Sequence, residues 1–138
     1  MDLSHNQISS ANRIFRFRAE TLDISHNRLS RLGLIPSNVE YLNVSDNYLT
    51  ELGSTAFTKQ SKLEYLDLSN NMIKKIPRSI KNAQKLQYLD LSDNQIKRFS
   101  VNLRYYPDLK TLDLRGNPLN PTSIENLQKK WPDIDILF

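Results

Sequence analysis

The sequence predicts an α/β-type solenoid, a stack of similar short coils in place of one closed globule. Three observations predict it. Asparagines recur at Asn6, Asn27, Asn47, Asn71, Asn94 and Asn117, separated by 21, 20, 24, 23 and 23 residues, and a fixed period of this length marks repeat architectures. From the second onward each asparagine closes the same apolar pattern, L-x-x-L-x-L-x-x-N-x-L, most plainly in "LEYLDLSNNMI" (63–73) and "LQYLDLSDNQI" (86–96). Within these phrases Leu66 and Leu68 are two apart, so in a strand they share the inner side while Tyr65 and Asp67 take the outer side. One repeat cannot bury its apolar edge alone, so neighbours must stack against it.

The pattern is filled five times in register: Ala19/Leu22/Ile24/Asn27/Leu29, Val39/Leu42/Val44/Asn47/Leu49, Leu63/Leu66/Leu68/Asn71/Ile73, Leu86/Leu89/Leu91/Asn94/Ile96 and Leu109/Leu112/Leu114/Asn117/Leu119. Over essentially its whole length the chain resembles the leucine-rich repeat (LRR) family. The resemblance implies a horseshoe in which each repeat contributes one short strand to a parallel sheet on the concave side and returns over an irregular or short-helical convex side. It also implies that the six asparagines are structural, turning inward to satisfy backbone groups where the chain leaves the strand.

Taken in order, residues 1–18 form a truncated first repeat, 19–120 five full repeats, and 121–138 a C-terminal capping helix and terminal strand. Met1 stands where the first strand leucine belongs and nothing caps the stack before it, so the chain is expected to be a fragment of a longer protein. Among the convex segments, "LIPSNVEYL" (34–42) resembles the compressed, nearly extended type, and "IPRSIKNAQKL" (76–86) the type with a proline and a short helical turn. At the other end Thr122 with Glu125 three residues on suggests a capping box, Ile124, Leu127 and Trp131 follow at helical spacing, and Pro132 stops the helix. Trp131, Ile134 and Ile136 then repeat the leucine spacing, which predicts a seventh concave strand with Asp135 in the middle column.

No apolar run approaches the eighteen or more residues of a membrane span, and "MDLSHNQISS" lacks the features of a signal peptide. With zero cysteines there are no disulfides and no thiolate sites. That absence, and the lack of the cysteine-containing flanks of extracellular family members, favours a cytoplasmic protein; an extracellular one is the alternative. No glycine-rich phosphate loop or nucleophile paired with a base occurs among the three glycines and the recurring serines, so the chain reads as non-catalytic, with no cofactor. His5 and His26 share a column of adjacent repeats, which is read as coincidence and not as a metal site. "NVS" at Asn43 fits a glycosylation acceptor but lies in the middle of the sheet.

Sorting the outward strand positions into columns separates the charge. The middle column reads Asp2, Asp23, Asn43, Asp67, Asp90, Asp113 and Asp135; the next Thr21, Tyr41, Tyr65, Tyr88, Thr111 and Asp133; the one before Glu20, Glu40, Glu64, Gln87 and Lys110. With Asp46 and Asp93, twelve of the fifteen acids fall on this side beside two of the nineteen bases, about −10 against +14 elsewhere, in a chain of net charge +4. Such a field attracts basic ligands, and a row of tyrosines offers large contact area at low entropic cost. The stacking of repeats explains the leucines, Asn71 and Ser69 but leaves Tyr65 and Asp67 over.

The chain is therefore expected to be a monomeric protein-protein interaction scaffold, of the kind found in signalling. It binds a protein or peptide with basic groups through Tyr41, Tyr65, Tyr88, Glu40, Glu64, Asp67, Asp90 and Asp113. Nucleic acid is not favoured, because the convex bases read as a solvated face. Two alternatives follow from resemblance. "LDLRGNPLNPTSIENLQ" looks like the last repeat before the catalytic domain of intracellular PPM-type phosphatases and LRR adenylyl cyclases, and the short repeats with the sequon suit a Toll-like receptor ectodomain.

Overall fold

The computed structural model describes residues 1–138. The outward and inward alternation of each repeat produces a three-residue strand whose central residue is fully or almost fully buried. These strands are β1 (Thr21–Asp23), β3 (Tyr41–Asn43), β5 (Tyr65–Asp67), β6 (Tyr88–Asp90) and β7 (Thr111–Asp113). With β8 (Asp135–Leu137) they form one parallel sheet in the order β1-β3-β5-β6-β7-β8. Asp2 adds a single parallel bridge to Asp23. Register runs straight through the repeats, Tyr41 beside Tyr65 beside Tyr88 and Leu42 beside Leu66 beside Leu89. The solenoid architecture expected from the sequence is thus present.

Leu22, Leu42, Leu66, Leu89 and Leu112 point inward and, with the second leucine column and the convex apolar residues, form one core of 31 buried residues. The convex returns are of two kinds. Three make a short 3-10 turn that buries one aliphatic side chain, Ile14 in Ile14–Arg16, Ile80 in Arg78–Asn82 and Leu103 in Leu103–Tyr105. After Asn27 and Asn47 the return begins extended instead. There β2 (Arg31–Leu32) and β4 (Glu51–Leu52) pair into a second, two-stranded parallel sheet, with Leu32 and Leu52 buried and Arg31 facing Glu51.

Two details of the C-terminal segment differ from the sequence expectation. Helix α1 (Pro121–Lys130) is capped by Asn120, whose side chain accepts from the Ser123 backbone N–H, and not by Thr122. Proline is suited to the first helical position, so Pro121 sets the start one residue before Thr122, while Glu125 pairs with Lys129 one turn on. The terminal strand exists, but its register is displaced by two. Ile136 lies beside Leu112 where Ile134 was expected, so Asp135 sits beside Thr111 and Leu137 beside Asp113. Trp131 is used as the helix C-cap and residues 131–134 make a turn, leaving only the last residues to pair. A slip of two preserves which side chains face the core, so alternation alone could not detect it.

Candidate concave binding face

The asparagine column is the frame on which this face is built. Asn71 Nδ2 donates to the carbonyls of Leu68 and Ser69 in its own coil and of Val44 in the preceding one. Its Oδ1 accepts from the Leu49 N–H. Asn27, Asn47, Asn94 and Asn117 repeat the scheme, taking the N–H of Ile8, Leu29, Ile73 and Ile96. Asn6 makes the within-coil bonds to Leu3 and Ser4.

The residue before each asparagine has positive φ: His5, His26, Asp46, Asn70, Asp93 and Gly116. This column was not read from the sequence, although its composition carries the signal, since Asn, Asp, His and Gly are the types that enter the left-handed region most readily. It also accounts for the histidines. The rings of His5 and His26 stack at 4.1 Å between centroids because equivalent positions of adjacent coils lie side by side. No group of three or more His, Asp or Glu is placed to hold a metal.

The middle column has a local task that the column reading missed. Oδ1 of Asp2, Asp23, Asn43, Asp67, Asp90 and Asp113 each accepts from the backbone N–H two residues on, a side-chain turn that fixes the strand exit. Ser4, Ser69 and Ser92 add a hydroxyl donor to the same oxygen at 2.7 Å. Asp67 and Asp90 thus each serve the local fold, which corrects the expectation that the stacking of repeats leaves Asp67 over. Asp113, 1% exposed, presents no free carboxylate. Arg115 grips both its oxygens, from Nε at 3.1 Å and from Nη2 at 2.5 Å. Burial pushes the Asp113 carboxyl up, but the Arg115 hydrogen bonds and charge prevail and hold it below the usual carboxylate range.

The Asp67 carboxyl is pushed up, chiefly by burial and secondarily by the charges of Asp90 and Asp46, against the opposing Ser69 bonds. The folded state thus holds its proton more tightly than the unfolded chain, and this carboxylate subtracts from stability at neutral pH. That loss is relieved as pH falls through the folded value. Asn43 already does the same work uncharged. Asp67→Asn is expected to leave the melting temperature equal or higher at neutral pH and to flatten its acid-side dependence, whereas Asp67→Ala loses the turn and costs about 1–2 kcal/mol; thermal melts at neutral and mildly acid pH compare them.

Beside this column stands an aromatic ladder. Tyr41, Tyr65 and Tyr88 stack with centroids 4.3 and 4.6 Å apart and rings 8° and 3° from parallel. All three are half-buried, and the Tyr88 hydroxyl donates to Asp90 Oδ2 at 3.2 Å. Burial first, then the charge of Asp90, pushes the Tyr88 phenol up to about 12, and burial and Asp67 push Tyr65 up as well. Both remain neutral donors. Along the other edge Glu40 is half-buried and Glu64 exposed, with Gln87 donating to Glu64 at 3.1 Å. A shallow groove lies between the columns, lined by Glu64, Tyr65, Gln87, Tyr88, Lys110 and Thr111.

Family models described as leucine-rich repeats match residues 18–40, 37–96 and 84–129. The chain belongs to the leucine-rich repeat family. This LRR chain is 39% identical to mouse opticin over 82 residues, which cover 56% of the chain and 25% of opticin. It is 32% identical to human lumican over 83 residues, 58% of the chain and 25% of lumican. With Toll-like receptor 7 of Drosophila melanogaster it shares 30% over 82 residues, 55% of the chain and 6% of the receptor. It thus spans a quarter or less of these relatives. Among solved structures, an LRR protein of Leptospira interrogans superposes with a TM-score of 0.85 at 27% identity, covering all of this chain and 37% of that one. The TLR13–ssRNA13 complex gives 0.73 at 28% identity, covering 99% of this chain and 20% of that one. No helix in the LRR chain is long and apolar enough to cross a membrane.

Proposed function

We propose that the concave face is a non-catalytic docking site for an extended protein or peptide segment carrying basic groups. The observation that carries this reading is the three-tyrosine ladder. Parallel, stacked rings on three consecutive strands form a continuous, half-exposed apolar strip along the sheet. Their mutual stacking already satisfies much of their surface, and what stays open is the edge facing the groove, where a partner's apolar side chain would lie. Glu40, Glu64 and Asp67 flank the strip and would select lysine or arginine; Asp90, largely covered, contributes field more than contact, and Asp113 is committed to Arg115. The scaffold acts as a monomer in this reading. Zero cysteines remain the sole argument for a cytoplasmic setting, and the similarity to opticin, lumican and Toll-like receptor 7 adds nothing to it.

A library of short peptides scanned against the immobilised chain tests the idea. Peptides alternating apolar and basic residues are expected to be retained, with affinity falling as salt rises, and Tyr65→Ala/Tyr88→Ala is expected to weaken them by about tenfold or more. Retention unchanged in that double variant, with its circular dichroism intact, would remove the tyrosine ladder from the site.

A further inference from the structure

A second site lies away from the concave sheet. Four cations, Lys74, Lys75, Lys97 and Arg98, line one crevice with Gln95 and Pro118, and no acid joins them. Lys74 and Lys97 occupy the same repeat position in successive coils, as do Lys75 and Arg98, so like charges are stacked two by two. At about 4.8 Å between coils this arrangement is self-repelling. At the matching position of earlier coils the charges alternate instead: Arg31 has Glu51 beside it in the next coil. None of the four crevice cations has an ion pair or a side-chain hydrogen bond. The patch is also bounded. The coil before it carries Thr50 and Glu51 in these positions, and the chain after it carries Asn120 and Pro121. From Lys75 the backbone runs into a neighbouring groove that holds Arg78, Lys81 and the exposed Tyr105, again without an acid.

We propose that this crevice binds a ligand bearing clustered oxyanions, phosphate or sulfate groups close enough together to meet two coils at once. A single small anion would relieve one pair of cations. A clustered one relieves both, and the Arg98 guanidinium can take two oxygens in parallel. The chemistry is opposite to that of the concave face, so the two sites would be occupied independently.

The test uses the whole chain with inorganic tripolyphosphate as probe, followed by calorimetric titration and by the rise in melting temperature that binding to the native state produces. Saturable binding, weakened by salt and reduced about tenfold or more in Lys74→Ala/Arg98→Ala, is expected. Arg16→Ala/Arg18→Ala removes the same charge from another basic stretch and is expected to bind as the unaltered chain does. A heparin-derived hexasaccharide and an inositol polyphosphate distinguish the source: tighter binding of the first indicates a sulfated glycan, of the second a phosphate ester, and either sustains the proposal. Equal losses in both double variants would reduce it to general charge attraction, and binding of single-stranded RNA with none of tripolyphosphate, or no saturable binding at low salt, would overturn it.

Discussion

Asn71→Ala is expected to lower the free energy of unfolding by about 3 kcal/mol or more, several times the effect of an ordinary polar substitution. The side chain is buried and every one of its contacts is to backbone: three carbonyls accept from Nδ2 and the Leu49 N–H donates to Oδ1. Alanine leaves these groups without partners where water cannot replace the side chain, and orphaned buried polar groups carry their full desolvation cost. Asn71→Asp discriminates the mechanism. It retains the acceptor for Leu49 but turns a carboxylate toward three carbonyl oxygens, so it is expected to be less stable than the alanine variant at neutral pH and to recover as pH falls and the carboxyl protonates. Asn6, exposed and bonded only within its own coil, provides the contrast: Asn6→Ala is expected to cost less than about 1 kcal/mol. Urea unfolding followed by circular dichroism reads all three.

Leu66→Ala is expected to cost about 2–5 kcal/mol, the range for a cavity at a fully buried leucine. Leu66 lies on the central strand β5, with Leu42 and Leu89 on either side and no exposed surface. In a solenoid each coil is supported only by its neighbours, so a defect there weakens two interfaces at once. Ile136 holds the equivalent place on the last strand, where it is half-buried and has a neighbour, Leu112, on one side only. Ile136→Ala is expected to cost roughly 1 kcal/mol, the scale of one partly buried aliphatic group. A steeper loss for the central change, together with a smaller denaturant slope if the stack parts into two units, is the expected pattern; equal costs would mean that the coils do not behave as a one-dimensional array.

Most of the fold was legible because the repeat is a strict register. Four leucine columns and one asparagine column place the strands within a residue, and the structure has β1, β3, β5, β6 and β7 where the pattern predicts them. The terminal strand was legible in existence and not in alignment, since Ile134 and Ile136 face the same way and only the length taken by the turn after α1 chooses between them. The helix start was missed for a similar reason: Asn120 and Thr122 are both good caps, and Pro121 decides. For the candidate site, columns revealed which residues share a face and concealed what each touches. Asp67, Asp90 and Asp113 looked like a row offered to a partner because their bonds run to the residue two positions on, a contact within one repeat that comparison between repeats does not display. The cations at Lys74, Lys75, Lys97 and Arg98 were visible as composition, but only the geometry gathers them into one crevice without an acid.

The asparagine bonds also give the stack a polarity. From Asn27 onward each asparagine reaches back to one N–H and one carbonyl of the coil before it, as Asn94 does to Ile73 and Leu68, and no coil reaches forward in this way. Of these bonds, a cut that removes a later coil frees main-chain groups and one that removes an earlier coil frees side-chain atoms, while the sheet's own bonds, such as Leu68 N–H to Asp90 and Glu64 N–H to Glu40, are lost on whichever side is cut. For the asparagine ladder, shortening from the amino end therefore leaves fewer main-chain groups without a partner than shortening from the carboxyl end, and a boundary for dissecting or fusing the stack keeps that ladder whole when the closing asparagine of the next coil is retained.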